Sequence, residues 1–168
     1  MKFAKITTNK GVLTVMLFEE EVPETVDHFC RLAEQDVYKN SKIFKYIKNA
    51  LLQAGSPTNK PGGWSGFLLK GEGHAAKLQR HDFGVLGMAA IANNMVSTQF
   101  YICLGREHTY HMDGFHTCIG QVVREDFGVL KSLERGDDIL DVEIIRALED
   151  DDAALRKYSA QKLSDDDY

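Results

Sequence analysis

Gly84-Val85-Leu86-Gly87-Met88-Ala89, followed by Ser97-Thr98-Gln99-Phe100-Tyr101-Ile102, decides the reading of this chain. Short strands are expected over Val85–Ala89 and, overlapping the second segment, over residues 99–104. Downstream, residues 117–122 repeat the pattern. Upstream, residues 2–8 and 12–18 alternate loosely around Asn9-Lys10-Gly11, as a hairpin does. Residues 43–53 are apolar but interrupted, which predicts a strand, a bend and a second strand. A helix is expected from Pro23, whose ring suits a first turn. Glu24 complements its N-terminal dipole, and Val26, Phe29, Cys30 and Ala33 fall on one stripe. Asp126 is expected to cap a short helix through Leu133 with Gly136 as its stop signal, before a last strand over residues 139–147. Many short strands with one helix early and another late predict a barrel or sandwich with helices at its ends.

The chain has 168 residues, 43% hydrophobic and 27% charged, enough for one domain with a real core. No apolar run reaches the ~18–20 residues of a membrane helix. The start, Met1-Lys2-Phe3-Ala4-Lys5, lacks the apolar stretch of a secretory leader, so a cytoplasmic or nuclear location is expected. Cys30, Cys103 and Cys118 are too widely spaced for a disulfide framework or a zinc signature and read as buried thiols. Of the net charge of −5, residues 149–168 carry −4, leaving a nearly neutral body with no basic stripe for nucleic acid. That acidic tail is expected to be partly helical around Ala153, Ala154, Leu155 and Tyr158, and either solvated or a docking segment for a basic partner in a protein complex. Residues 54–81 hold nine Gly, Pro and Asn punctuators with little periodicity, a loop long enough to imply function. Trp64, alone in that loop, is expected to pack on the barrel.

Four segments in order resemble the cyclophilin family of peptidyl-prolyl isomerases. Val22-Pro23-Glu24-Thr25-Val26-Asp27-His28-Phe29 is similar to its opening helix. Tyr38 through Pro57 follows, without a gap, its Tyr-x-Gly-Ser/Thr-x-Phe-His-Arg, spacer, Gln-Gly-Gly-Asp-Pro pattern. The 84–89 and 97–102 pair resembles Gly-x-Leu-x-Met-Ala and Gly-Ser-Gln-Phe-Phe-Ile. Met112-Asp113-Gly114-Phe115-His116 resembles Leu-Asp-Gly-x-His. The resemblance implies a mainly β fold: an eight-stranded antiparallel closed β-barrel capped by two α-helices over residues 1–148, with 149–168 as a tail. It also implies a monomer that needs no cofactor or metal and takes proline-containing peptides in a groove on its outer surface. The glycine-rich stretch then becomes a loop beside that groove.

Rotation about a prolyl bond must break amide resonance, a barrier of about 18–20 kcal/mol. The enzyme must hold the ring, fix the flanking chain and aim a donor at the nitrogen whose lone pair returns in the twisted state. The family uses an arginine. By resemblance its place falls on Lys45, which keeps the charge but not the planar fork; a one-residue slip would put Tyr46 there. On residue type alone Lys45 is equally a solvated lysine on a strand. Gln53 matches the supporting glutamine, and Gln99 belongs to the same groove.

The implied proline pocket departs further. Ala50 and Leu51 stand for Phe-Met, Tyr101 for phenylalanine and Met112 for leucine. Ala89 and His116 match, while Ala90 replaces a common asparagine. His111 stands where the tryptophan of cyclosporin-binding members is expected, so weak or no cyclosporin binding follows, with reduced activity. His108, His111 and His116 invite a zinc reading, but no thiolate or carboxylate lies at ligand spacing, and no metal is expected.

Overall fold

The computed structural model describes residues 1–60, 68–72, 79–91 and 95–146. β1 (Lys2–Thr8) and β2 (Gly11–Leu17) form the first hairpin. The Thr8 hydroxyl ties its turn, donating to the Gly11 carbonyl at 2.7 Å and accepting the Lys10 amide at 3.1 Å. Ala4 and Ile6 in β1 and Leu13, Val15 and Leu17 in β2 turn inward, so alternate positions fill the interior.

Helix α1 (Pro23–Glu34) has Pro23 in its first turn and Glu24 beside the amide end. The expected stripe of Val26, Phe29, Cys30 and Ala33 is buried, joined by Leu32. Burying such side chains contributes about 1.5–3 kcal/mol each for the larger ones, so packing rather than propensity holds the helix. Its N-cap, Val22, has no side chain able to cap. Glu72 does that work from far along the chain, accepting the Thr25 amide at 2.6 Å and the Thr25 hydroxyl at 2.5 Å.

The remaining strands are β3 (Ser41–Lys42), β4 (Lys45–Ile47), β5 (Leu51–Ala54), β6 (Leu69–Lys70), β7 (Val85–Ile91), β8 (Met95–Cys103), β9 (Cys118–Val122) and β10 (Asp138–Arg146). All pairings are antiparallel, in the order β3-β10-β1-β2-β9-β7-β8-β5-β4, with β6 added on β8. β3 and β4 are two pieces of one segment broken at Ile43-Phe44. Counting them together and setting aside the two-residue β6 leaves eight strands among the described residues, the number expected.

The expected closure is looser. The ladder is open between β3 and β4, so the architecture is a curled antiparallel sheet rather than a strictly closed barrel. Ile43 and Phe44 span the gap. Ile43 donates to Asp137 (2.9 Å) and accepts from Gly136 (2.8 Å) on the β10 side, and Phe44 donates to Gln53 (3.1 Å) on the β5 side. A chain that changes partners between two residues cannot hold an unbroken ladder with either.

Two local expectations are corrected. Helix α2 runs Phe127–Ser132, but the Asp126 side chain does not cap it; Asp126 instead accepts the Thr14 amide at 2.8 Å, tying the helix start to β2. Gly136 does not end the helix. It lies in the turn before β10 with φ +94°, four residues past the last helical one. The expected glycine-rich loop also contains β6, paired to Met95 and Val96. Trp64, Ala147 and the acidic tail lie outside the described residues. The three cysteines are free and buried, and among the described residues no helix is long and apolar enough to cross a membrane.

Candidate functional site

Strand alternation makes two apolar clusters. Leu52, Ala54, Leu86, Met88, Phe100 and Ile102 face the interior. Their neighbours on the outer face, Val85, Ala89, Tyr101, Cys103 and Cys118, form a second cluster with Met112 and the half-buried Leu51. The segment that follows β8, with single 3-10 turns at Arg106–His108 and Tyr110–Met112, supplies Met112 to it.

Across this outer face the ladder places Lys45 opposite Gln53, Gln53 opposite Tyr101 and Tyr101 opposite Gly87. Directly opposed residues share a face with Cβ atoms about 4.5–5.5 Å apart. Lys45 is therefore the exposed end of a cation–amide–aromatic row. Tyr46 pairs with Leu52 and packs against the inner core, on the face away from this row.

Gln53 donates through Nε2 to Gln99 Oε1 at 2.9 Å. Gln99 is fully buried, so it fixes the amide of Gln53 rather than presenting its own side chain. Tyr101 is 2% exposed and Met112 7%, so the two form a nearly covered floor beside the row. Ala89 lies in the same cluster. His116 is half-buried and stands edge-on to Tyr101, ring centroids 6.2 Å apart at 90°. Burial lowers its pKa first, helped by His81 and His111, and its buried Nδ1 has no hydrogen-bond partner among the described residues.

The other expected residues are less central. Ala50 is buried in the turn between β4 and β5, where its carbonyl accepts the Leu104 amide at 2.7 Å. Ala90 pairs with Val96 of the inner core, so it stands on the opposite face from Ala89. His111 is exposed on its 3-10 turn, against Tyr110 at 6.2 Å between ring centroids.

The structure adds residues that the sequence reading missed. His81 is completely buried and sits between Tyr101 and Asp113. Its Nε2 lies 2.6 Å from the Tyr101 hydroxyl and its Nδ1 2.9 Å from Asp113 Oδ1. Asp113 also accepts the His81 amide at 2.8 Å and Arg106 Nη2 at 2.7 Å. Burial opposes ionisation of Asp113, but Arg106 and both His81 donors outweigh it and hold the pKa down to about 2. Burial pushes His81 below its usual value despite the pull of Asp113. Burial likewise pushes the Tyr101 phenol well up.

These directions fix the protons. Ionised Asp113 can only accept, so His81 carries its proton on Nδ1; the bare Nε2 then accepts from the Tyr101 O–H. Cys118 Sγ lies 3.5 and 3.6 Å from the two ring nitrogens. A sulfur so evenly placed aligns with neither the Nδ1–H nor the Nε2 lone pair. With its thiol pKa raised by burial, Cys118 is packing and not a nucleophile. Among the described residues no three His, Cys, Asp or Glu side chains converge as a metal site.

A curled antiparallel sheet with helices packed on it thus carries a cation, an amide and a buried ring aligned on its outer face. The chain belongs to the cyclophilin-type peptidyl-prolyl cis-trans isomerase family: the family described as cyclophilin type peptidyl-prolyl cis-trans isomerase/CLD matches residues 3–149. It is 32% identical over 146 residues to a peptidyl-prolyl cis-trans isomerase of Synechococcus elongatus, covering 86% of this chain and 97% of that one. A peptidyl-prolyl cis-trans isomerase-like 1 protein of Aspergillus fumigatus is 34% identical over 148 residues, covering 83% and 90%. In fold it is similar to a Cryptosporidium parvum cyclophilin crystallised in the presence of the dipeptide Ala-Pro, with a TM-score of 0.75, 24% identity, and coverage of 86% of this chain and 99% of that one.

Proposed function

We propose that this protein isomerises Xaa-Pro bonds of protein segments, with Lys45 as the donor to the amide nitrogen and at a lower rate than members carrying arginine there. The observation that carries the reading is the row itself. An exposed lysine, an amide fixed by a buried partner and an aromatic floor lie side by side in the ladder.

A peptide laid across the row would set its proline on Tyr101 and Met112 and its carbonyl near Gln53. As the amide twists, the nitrogen regains its lone pair and the Lys45 ammonium can donate to it, an interaction absent in the planar ground state. Lys45 is exposed at the end of its row, so its flexible ammonium has to be oriented at each turnover. An arginine fork is held more rigidly, which is the physical reason for a reduced rate.

Exchange NMR on an Ala-Pro peptide with substoichiometric protein tests this. Lys45→Ala should cut the exchange rate by up to about 10²–10³-fold, and Lys45→Arg should raise it several-fold. Exchange that survives Lys45→Ala unchanged would remove lysine from the mechanism.

The near-complete burial of Tyr101 and Met112 favours one second reading, a peptide-binding module with faded catalysis. Shift changes at Gln53 and His116 without exchange would establish it. With His111 in the tryptophan's place, cyclosporin is expected to bind weakly, and a nanomolar titration would refute that. The acidic tail remains the segment offered to a basic partner in an assembly, in cytosol or nucleus. Loss of captured partners on deleting residues 149–168 is the expected result.

A further inference from the structure

Tyr101 occupies the centre of the row, and its buried hydroxyl is stabilised by a hydrogen-bond partner that water cannot supply there. The partner is His81, and every polar group of His81 is engaged. Its amide and Nδ1 go to Asp113, its Nε2 takes the Tyr101 hydroxyl, and its carbonyl accepts Thr109 Oγ1 at 2.6 Å. Asp113 and Thr109 flank Met112, and Arg106, also bound to Asp113, begins the same segment. Three pieces of chain meet at one ring: β8, the strand-free stretch before β7, and the segment that carries Met112 and His116.

Gly87 completes the arrangement. A Cβ there would lie 2.2 Å from the Tyr101 Oη and 2.3 Å from its Cζ. The Tyr101 side chain therefore lies across β7, over Gly87, with its hydroxyl reaching His81. Gly87 serves by the space it leaves, since its backbone is not in the left-handed region.

We propose that His81 is a positioning residue of this site: through the Tyr101–His81–Asp113–Arg106 chain it holds the Tyr101 ring down over Gly87 and locks that floor to the segment bearing Met112 and His116. The inference deepens the isomerase reading and rests on it. The buried chain acts on the substrate only through the ring it holds.

The test is a set of variants of the full chain, measured by exchange NMR with the Ala-Pro peptide and by thermal unfolding. His81→Leu removes both links and should lower kcat/KM about tenfold, since misplacement by an ångström can cost as much as about 10². His81→Gln, which can accept from Tyr101 and donate to Asp113, should recover most of the loss. Tyr101→Phe, which removes one oxygen, should lower kcat/KM severalfold. The double variant Tyr101→Phe/His81→Leu should be no worse than the poorer single one, because both break one connection. Nitrogen-15 shifts of the wild-type protein should show His81 protonated at Nδ1 and bare at Nε2, with the Nε2 signal moving in Tyr101→Phe.

A merely structural histidine would lower the melting temperature and leave kcat/KM of the folded protein unchanged; that result overturns the proposal alone. So would losses that multiply in the double variant, or a His81 protonated at Nε2. If His81→Leu does not fold, an unaltered kcat/KM in Tyr101→Phe overturns it equally. A wild-type protein that neither binds nor isomerises the peptide would sink the isomerase reading, and the positioning role with it.

Discussion

Phe100 and Tyr101 are consecutive in β8, both buried, and they face opposite ways. Phe100 looks inward and meets Tyr38 and Phe29 edge-on, with centroids 5.2 and 6.0 Å apart at nearly right angles. Tyr101 looks outward onto a line of hydrogen bonds that ends on Asp113 and Arg106. The inner cluster is held by shape and apolar burial, which tolerate a swap of similar volume. The outer one is held by directed polar contacts, which tolerate very little. Stability should reside in the first and the reactivity of the site in the second.

The sharpest way to break that contrast is Phe100→Ala. Removing a fully buried ring from an aromatic cluster costs about 3–5 kcal/mol, and the urea midpoint should fall accordingly. The folded fraction should still turn over the Ala-Pro peptide. If turnover per folded molecule falls with stability, the two clusters are not separable.

Gly87→Ala comes next. The new methyl meets the Tyr101 ring, which His81 prevents from moving aside, and overpacking of this kind costs about 1–3 kcal/mol. The loss of turnover should exceed what unfolding explains, opposite to Phe100→Ala. Measuring both variants at a temperature where both are folded makes the distinction.

How much of this could be read beforehand follows the same division. The inner face was legible because its signal is local: alternation in β1 and β2, the stripe on α1 and the bend between β4 and β5 all arise within a few residues. The link at Ile43-Phe44 was not, because a change of ladder partner depends on residues 53 and 137. At the site, Lys45 and Gln53 were singled out through motif resemblance, and the ladder sets the two opposite each other. The His81 chain joins residues 81, 101, 106 and 113, and no spacing rule connects them. One clue was available. Tyrosine where a phenylalanine was expected brings a hydroxyl into an apolar cluster, and a buried hydroxyl requires a partner.

Acidification should sharpen the comparison, since among the described residues the histidines whose pKa burial lowers, His81 and His116, both lie against Tyr101 of the outer cluster. His81 and His116 both have pKa values lowered by burial, so below about 6.5 the unfolded chain takes protons that the native state refuses. Stability then falls as pH falls, by at most about 1.4 kcal/mol per pH unit for each such proton. His81→Gln should flatten this limb. Asp113, held at about 2 against an ordinary 3.8, adds a second loss that begins near the higher value and is complete below the lower one. Urea midpoints between pH 8 and pH 2 would show the first loss and most of the second, and a flat profile through pH 6 would contradict neutral burial of the histidines.

The smallest effect tests the seam between the two regions. Glu72 caps α1, whose apolar stripe belongs to the inner core, by accepting from the amide and hydroxyl of Thr25. Its own amide donates to the Thr117 hydroxyl at 2.9 Å, at the start of β9 and next to His116. Glu72→Ala leaves the buried Thr25 hydroxyl and one helix amide without an acceptor, which should cost about 1 kcal/mol, in the range of a lost N-cap. Because among the described residues Glu72 reaches the outer region through its backbone amide, the substitution should leave kcat/KM and the His81 nitrogen shifts where they were. Glu72→Gln, whose side-chain carbonyl can still accept from Thr25, should recover part of the stability. A fall in turnover with Glu72→Ala would mean that the helix cap and the site floor move together, and that the seam transmits what the division between the clusters says it should not.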